Sequence, residues 1–192
     1  MHKKVAVKKL PLLGSVSVLT GSSIFWIATF AILTFLAAQL AIPVKPVPFT
    51  LQTMLVLLSA AFLGSKNSAI SQVTYLTMGV IGLPVFAAFS FGPATLFGPT
   101  GGYLLSFPVA AFIVGYLIEK FESKLAVFLS MLLGNTLILL IGSIFLASFF
   151  DGNLAEAFIS GAAIFSVWGL IKVAAAASIY IVLSKRFPKL PA

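Results

Sequence analysis

The chain has 192 residues, 60% hydrophobic and 8% charged, with a net charge of +8 and a mean hydropathy of +1.16. A soluble domain carries about a quarter charged residues, so this composition belongs in a bilayer, as one membrane domain with no soluble one beside it. The lack of cysteine excludes disulfides and thiolate chemistry, and four acidic residues with one histidine leave no basis for a metal site or a catalytic constellation.

The first 22 residues hold Lys3, Lys4, Lys8 and Lys9 ahead of an apolar stretch weakened by Gly14, Ser15, Ser17, Thr20 and Gly21. No small-residue cleavage pattern follows, so residues 1–22 are expected to form a basic cytoplasmic tail. Six hydrophobic segments then make up a membrane domain over residues 23–184: about 23–42, 50–64, 67–82, 102–118, 125–149 and 158–184. Residues 185–192 form a second basic tail. The second and third segments are short for a hydrocarbon core that takes about 20 helical residues to cross.

In the first span Ala31, Thr34, Ala38 and Ala41 share a stripe, and Ala37 and Ala41 make an A-x-x-x-A pair. Small residues in such rows let a membrane helix approach another closely, either a neighbouring span or a separate membrane subunit. Pro43, Pro46 and Pro48 end that span, and Gly64 to Asn67 predicts a tight turn between the second and third. Residues 83–102, LPVFAAFSFGPATLFGPTGG, have no charge, three prolines and four glycines. They suit neither an aqueous loop nor a helix. Irregular backbone at membrane depth needs a protein or a cavity around it, so the segment is expected to be a buried connector or the wall of a ligand pocket.

The basic residues decide orientation. With the N-terminus inside, Lys3, Lys4, Lys8, Lys9, Lys66, Lys120, Lys124, Lys185, Arg186 and Lys189 all fall inside. Lys45 alone falls outside, together with Asp151 and Glu156. That asymmetry predicts six transmembrane helices with both ends cytoplasmic in the plasma membrane. The charges mark topology and give no sign of nucleic-acid binding.

Lys172 remains, within FISGAAIFSVWGLIKVAAAASIYIVL (158–183). A lysine at the centre of a membrane helix costs about 2.5–3.5 kcal/mol on insertion scales. No acidic residue lies in any span to pair with it. A ligand carrying a carboxylate or polar carbonyl would supply that partner; loss of the proton on burial is the competing solution. Asn135 and Gln52 are candidate polar companions within the spans. Trp168 lies one turn before Lys172 and could stack on a ligand ring or simply pack. Tyr103 offers a hydroxyl. There is no P-loop, H-E-x-x-H or G-x-S-x-G, so nothing in the chain hydrolyses ATP.

Four motifs carry a resemblance: PVPFTLQTM (46–54), FLGSKNSA (62–69), GLPVFA (82–87) and FGPTGGYLLSF (97–107). In order and spacing the chain resembles the BioY family, biotin-binding S components of energy-coupling factor (ECF) vitamin transporters. The resemblance implies a six-helix, all-α membrane protein that is not an enzyme and uses no cofactor. It would bind biotin near its outer face and pair with a transmembrane coupling subunit and two ATPases. It implies that Lys172 contacts the ligand, with Thr50, Gln52, Phe86, Thr100, Tyr103, Asn135 and Trp168 as further pocket candidates, and that Ala37 and Ala41 meet the coupling subunit. The family commonly has P-G-D-x-x-K before the lysine; here Val167-Trp168-Gly169-Leu170-Ile171 stands there, with Gly169 at the aspartate position. Phe89, Phe91 and Pro93 occupy a loop that is glycine-rich in many members. Another vitamin or a biotin precursor as ligand, transport by a solitary facilitator, and a scaffold without ligand are the remaining alternatives.

Overall fold

The computed structural model describes residues 21–121 and 123–186. The two basic tails lie almost wholly outside this range. Helix α1 (Ser23–Gln39) leads into a short antiparallel ribbon of β1 (Ala41–Ile42) and β2 (Phe49–Thr50). Helix α2 (Gln52–Val80) follows, then a loop holding a single 3-10 turn (Ala87–Phe89) and the five-residue α3 (Pro93–Phe97). Helix α4 (Gly101–Lys120) and α5 (Lys124–Leu146) come next, α5 extended by a 3-10 turn at Ala147–Phe149. The last pass is α6 (Leu154–Phe158), a π-helical turn (Ile159–Ala163) and α7 (Ile164–Leu183), continuous in one direction.

Gly64 splits α2 into two limbs. Its φ of 73° and ψ of −175° are not helical, and only glycine takes such a conformation without strain. The predicted four-residue turn is therefore a break at one residue, and helix resumes at once. Counting both limbs, the six predicted passes are all present. By length and composition, α2, α4, α5 with its extension and the final pass are each long and apolar enough to cross a membrane, and α1 is a shorter apolar helix. The exterior of the bundle carries Leu33, Leu36, Ile70, Val73, Leu129, Leu133, Val167 and Ile171, a surface suited to lipid. The protein is a multi-pass helical membrane protein.

Three local expectations are corrected. The first span ends at Gln39 rather than residue 42, because Leu40 leaves the helical region and Ala41 pairs with Thr50. The glycine- and proline-rich segment holds one helical turn, α3, started by Pro93 at a first-turn position where its missing N–H costs nothing. The small-residue stripe packs inward: Ala31, Thr34, Ala37 and Ala38 are buried, Ala37 at 4% exposure, on the helix that packs against α2. With Ala41 in β1, Ala37 and Ala41 do not share one helical row.

The end of the bundle at Gly64 is held tightly. Glu119, at the end of α4, accepts the Ser65 backbone N–H at 3.0 Å and the Ser65 hydroxyl at 2.9 Å, so a carboxylate caps the second limb of α2 at its positive end. A Cβ on Gly115 would stand 2.6 Å from the Ser65 nitrogen; α4 reaches this break only because residue 115 has no side chain. Lys66, Lys120 and Lys124 sit beside this junction, and Tyr180 of α7 meets Phe62 edge-on at 5.1 Å on the same side of the bundle. The Gln52 end, the ribbon and the 83–100 loop lie at the opposite end.

Gly64→Ala is expected to lower stability by about 1–3 kcal/mol, since alanine resists this backbone conformation and its Cβ would press on the Glu119 carboxylate. A drop in thermal midpoint in detergent, absent for Ala60→Gly in the neighbouring turn of the same limb beyond the cost of one helical glycine, checks it.

Candidate functional site

A cavity of about 440 Å³ opens at the end away from Gly64. Its sides come from α2, α4, α5 and α7, and the ribbon and the 83–100 loop form its rim and roof. The walls are mostly apolar, with Val47, Phe86, Leu104, Phe107, Leu139 and Phe165 among them. Phe165 of α7 packs on Phe49 of β2 at 4.2 Å between ring centroids, fixing the ribbon against the last helix.

Lys172 lies in this cavity and is only 7% exposed. Its ammonium donates to the Thr50 carbonyl at 3.1 Å and to the Thr53 hydroxyl at 2.6 Å. Both partners are neutral oxygens. An ammonium has three N–H donors, so one is left for a ligand. Among the described residues no acidic side chain lines the cavity, and the contact is made at the first turn of α2, the positive end of that helix dipole. The site is electropositive and suits a ligand with a carboxylate or a strongly polar carbonyl.

A hydrogen-bond chain fixes the lysine's acceptors. The Thr50 hydroxyl donates to Gln52 Oε1 at 2.9 Å, Gln52 Nε2 donates to the Tyr75 hydroxyl at 2.7 Å, and Tyr75 donates to the Val85 carbonyl at 3.1 Å. The chain joins the ribbon, both limbs of α2 and the loop. Gln39, at the end of α1, holds that loop from the other side. Its Nε2 donates to the Phe86 carbonyl at 3.0 Å and its Oε1 accepts the Phe89 N–H at 3.0 Å. Ala88 and Phe89 both have positive φ, 55° and 56°, a strained pair that persists because these bonds over-determine it. Phe86 completes the roof: its ring stands edge-on to Tyr75 and covers Gly79, where a Cβ would overlap it.

On the far wall the Tyr103 hydroxyl donates to the Gly161 carbonyl at 2.9 Å and lies 3.3 Å from Ser143 Oγ. Its ring fills the space a Cβ on Gly142 would take. The π turn at Ile159–Ala163 thus carries the acceptor that anchors a pocket tyrosine, the kind of position where π turns recur.

Of the eight pocket candidates, Thr50, Gln52, Phe86, Thr100, Tyr103, Asn135 and Lys172 line this one cavity. Trp168 does not; it is 38% exposed on the outside of α7. Helix geometry explains the difference. At about 100° per residue, Trp168 and Gly169 lie on opposite flanks of Lys172, and the cavity is on the Gly169 side. Gln52 and Tyr103 have their polar atoms committed to the scaffold, so they position the walls. Sequence reasoning missed Gln39 and Thr53. Gln39 is an amide inside a predicted span, itself a signal, and Thr53 stands three residues after Thr50 in the quoted TLQT run. At Gly169, where the family motif would put aspartate, the Asn135 carboxamide occupies the adjoining space: a Cβ there would be 2.7 Å from Asn135 Nδ2.

Fold and cavity together define a membrane protein that encloses a small ligand at one end of a six-pass helical bundle. The BioY family model matches residues 8–189, and the chain belongs to that family. It is 41% identical over 156 residues to "Biotin transporter BioY" of Thermotoga maritima, covering 81% of this chain and 92% of that protein. It is also 41% identical over 150 residues to "Probable biotin transporter BioY" of Pyrococcus horikoshii, covering 78% of this chain and 88% of the relative. The fold is similar to the 2.1 Å crystal structure of the S component for biotin from an ECF-type ABC transporter, with a TM-score of 0.80 and 27% identity over 85% of this chain and 90% of that one.

Gln39→Leu removes the bonds that hold the loop while keeping side-chain bulk. Amide hydrogen exchange at residues 85–90 is expected to speed up at least about tenfold, the effect of losing about 1.4 kcal/mol of local protection, while exchange in α4 and α5 stays as in the wild type.

Proposed function

We propose that this protein captures biotin from the outer face of the membrane and holds it in the Lys172 cavity. The observation that carries this reading is the buried ammonium of Lys172, bonded only to neutral oxygens in an apolar pocket. The sequence relationship to proteins named for biotin transport supports the choice of ligand. Biotin combines a ureido ring, an apolar chain and a carboxylate. The volume of about 440 Å³ suits a small ligand of this kind, the aromatic and leucine walls suit its chain and thioether, and Lys172 suits either its carboxylate or its ureido carbonyl. The clustering of Lys66, Lys120 and Lys124 at the other end supports an outward-facing cavity.

In this reading the chain acts as an S component. It contains no nucleotide-binding motif, so energy comes from a transmembrane coupling subunit and two ATPases. Biotin uptake into liposomes containing this chain alone would replace that arrangement with a solitary facilitator. Preference for another vitamin or a biotin precursor in a thermal-shift panel would reassign the ligand.

Lys172→Ala in detergent is expected to weaken biotin binding by about 10- to 150-fold, the range for a buried hydrogen bond to a charged group, as read by calorimetry. Unchanged affinity would remove Lys172 from the site. Biotin methyl ester identifies the group it holds: if Lys172 pairs with the carboxylate, the ester binds wild type and Lys172→Ala equally poorly. Trp168→Ala is expected to bind biotin within about twofold of wild type, the spread of a surface substitution.

A further inference from the structure

Asn135 is the one cavity amide whose polar atoms the protein does not use. It sits at mid-length on α5, is 5% exposed and lines the cavity. Among the described residues its carboxamide has no hydrogen-bond partner. Gln39 and Gln52, the other amides in the lining, are each bonded at both their oxygen and their nitrogen. Its polar atoms are open to the cavity rather than sealed in protein, so what satisfies them is whatever occupies the cavity.

Gly169 makes this arrangement possible. A Cβ on residue 169 would stand 2.7 Å from Asn135 Nδ2 and 3.3 Å from Oδ1, closer than side chains tolerate. Residue 169 also precedes Lys172 by three, so the amide packs against α7 one helical turn before the lysine. The one cavity therefore presents a cation with a spare donor and a neutral group that both donates and accepts.

We propose that Asn135 is a specificity-determining ligand contact, that it reads the adjacent N–H and C=O of a neutral cyclic urea, and that Gly169 is required to make room for it. The proposal rests on biotin being the ligand. A carboxamide pairs with a urea through one N–H···O bond in each direction, so both its oxygen and its nitrogen are satisfied. With a positively charged analogue of that urea it keeps only the bond its oxygen accepts, since the cation has no carbonyl to take its N–H. An aspartate of the same shape would accept two N–H groups and would favour the cation.

The test is calorimetry on the full chain in detergent, with biotin and 2-iminobiotin, whose protonated guanidine replaces the urea. Asn135→Leu, with the same branching and without polar atoms, is expected to weaken biotin binding at least about tenfold. Asn135→Asp is expected to shift preference toward 2-iminobiotin by about tenfold or more relative to wild type. Gly169→Ala, which crowds the amide, is expected to cost several-fold in biotin affinity alone and nothing further in the Asn135→Leu background. Thermal midpoints establish that each variant is folded; should Asn135→Leu not fold, the Asn135→Asp preference and the Gly169→Ala loss decide. Affinity of folded Asn135→Leu within twofold of wild type overturns the proposal. An unchanged preference in Asn135→Asp overturns it equally, since the amide would then act by packing. Wild-type protein that binds no biotin removes the ligand assignment and this proposal with it, whereas tight wild-type binding with an indifferent Asn135 removes this proposal alone.

Discussion

The structure depends on keeping an ammonium group inside a membrane protein without an anion. Lys172 meets only the Thr50 carbonyl and the Thr53 hydroxyl, and a charge in such a place is expensive unless its donors are well satisfied. Thr50 can offer its carbonyl because the chain leaves helix α1 early, pairs two residues of β1 with two of β2, and enters α2 only at Gln52. The three prolines between the strands shorten the ribbon, and the Phe49–Phe165 contact presses it against the lysine's helix. The chain from Thr50 through Gln52 and Tyr75 to Val85 then ties the lysine's acceptor to the roof of the cavity. The roof and the cation are parts of one hydrogen-bonded unit.

The two ends of the bundle are built differently. At the Gly64 end, helices approach through missing side chains: Gly64 gives the break, Gly115 lets α4 touch it, and Glu119 caps the limb that follows. At the cavity end, bulky rings replace close backbone contact. Phe86 covers Gly79 and Tyr103 fills the space at Gly142 and Gly161, so glycines there serve as seats for aromatic rings. Packing of the first kind leaves no free volume, and packing of the second leaves a chamber whose walls are side chains.

The six passes, the basic asymmetry and the importance of Lys172 were legible in the sequence because each rests on local composition: apolar runs, clustered charges and one charge out of place. The pocket candidates between residues 50 and 103 were legible through motif resemblance, and Gln52 and Asn135 also as polar side chains inside apolar spans. What escaped depends on rotation and pairing. Trp168 was expected beside Lys172 from helical spacing alone, yet the cavity lies on the Gly169 flank. Ala37 and Ala41 read as one helical row, but Ala41 belongs to a strand. Gln39 works by reaching a loop 46 to 50 residues away, a pairing that no local pattern encodes. The Gly169 departure looked like the loss of a polar group that a backbone carbonyl, Asn135, Gln52 or a water would have to replace, and the facing helix puts Asn135 next to that space.

The π turn at Ile159–Ala163 has a consequence for how this chain tolerates length changes. A π turn takes up about one residue more than an α turn, so it absorbs a residue that in regular helix would turn everything after it by about 100°. Within the turn the last pass shows Gly161 to Tyr103; beyond it the same pass shows Gly169 and Lys172 to the cavity. The turn gives the helix slack between two faces that must point inward at once. A one-residue deletion there can close the π turn to an α turn and keep the cation in the cavity, whereas the same deletion in α7 before Lys172 would leave every side chain chemically intact and turn the cation away by about 100°. In this helix the residue count is as much a part of the binding site as any residue in it.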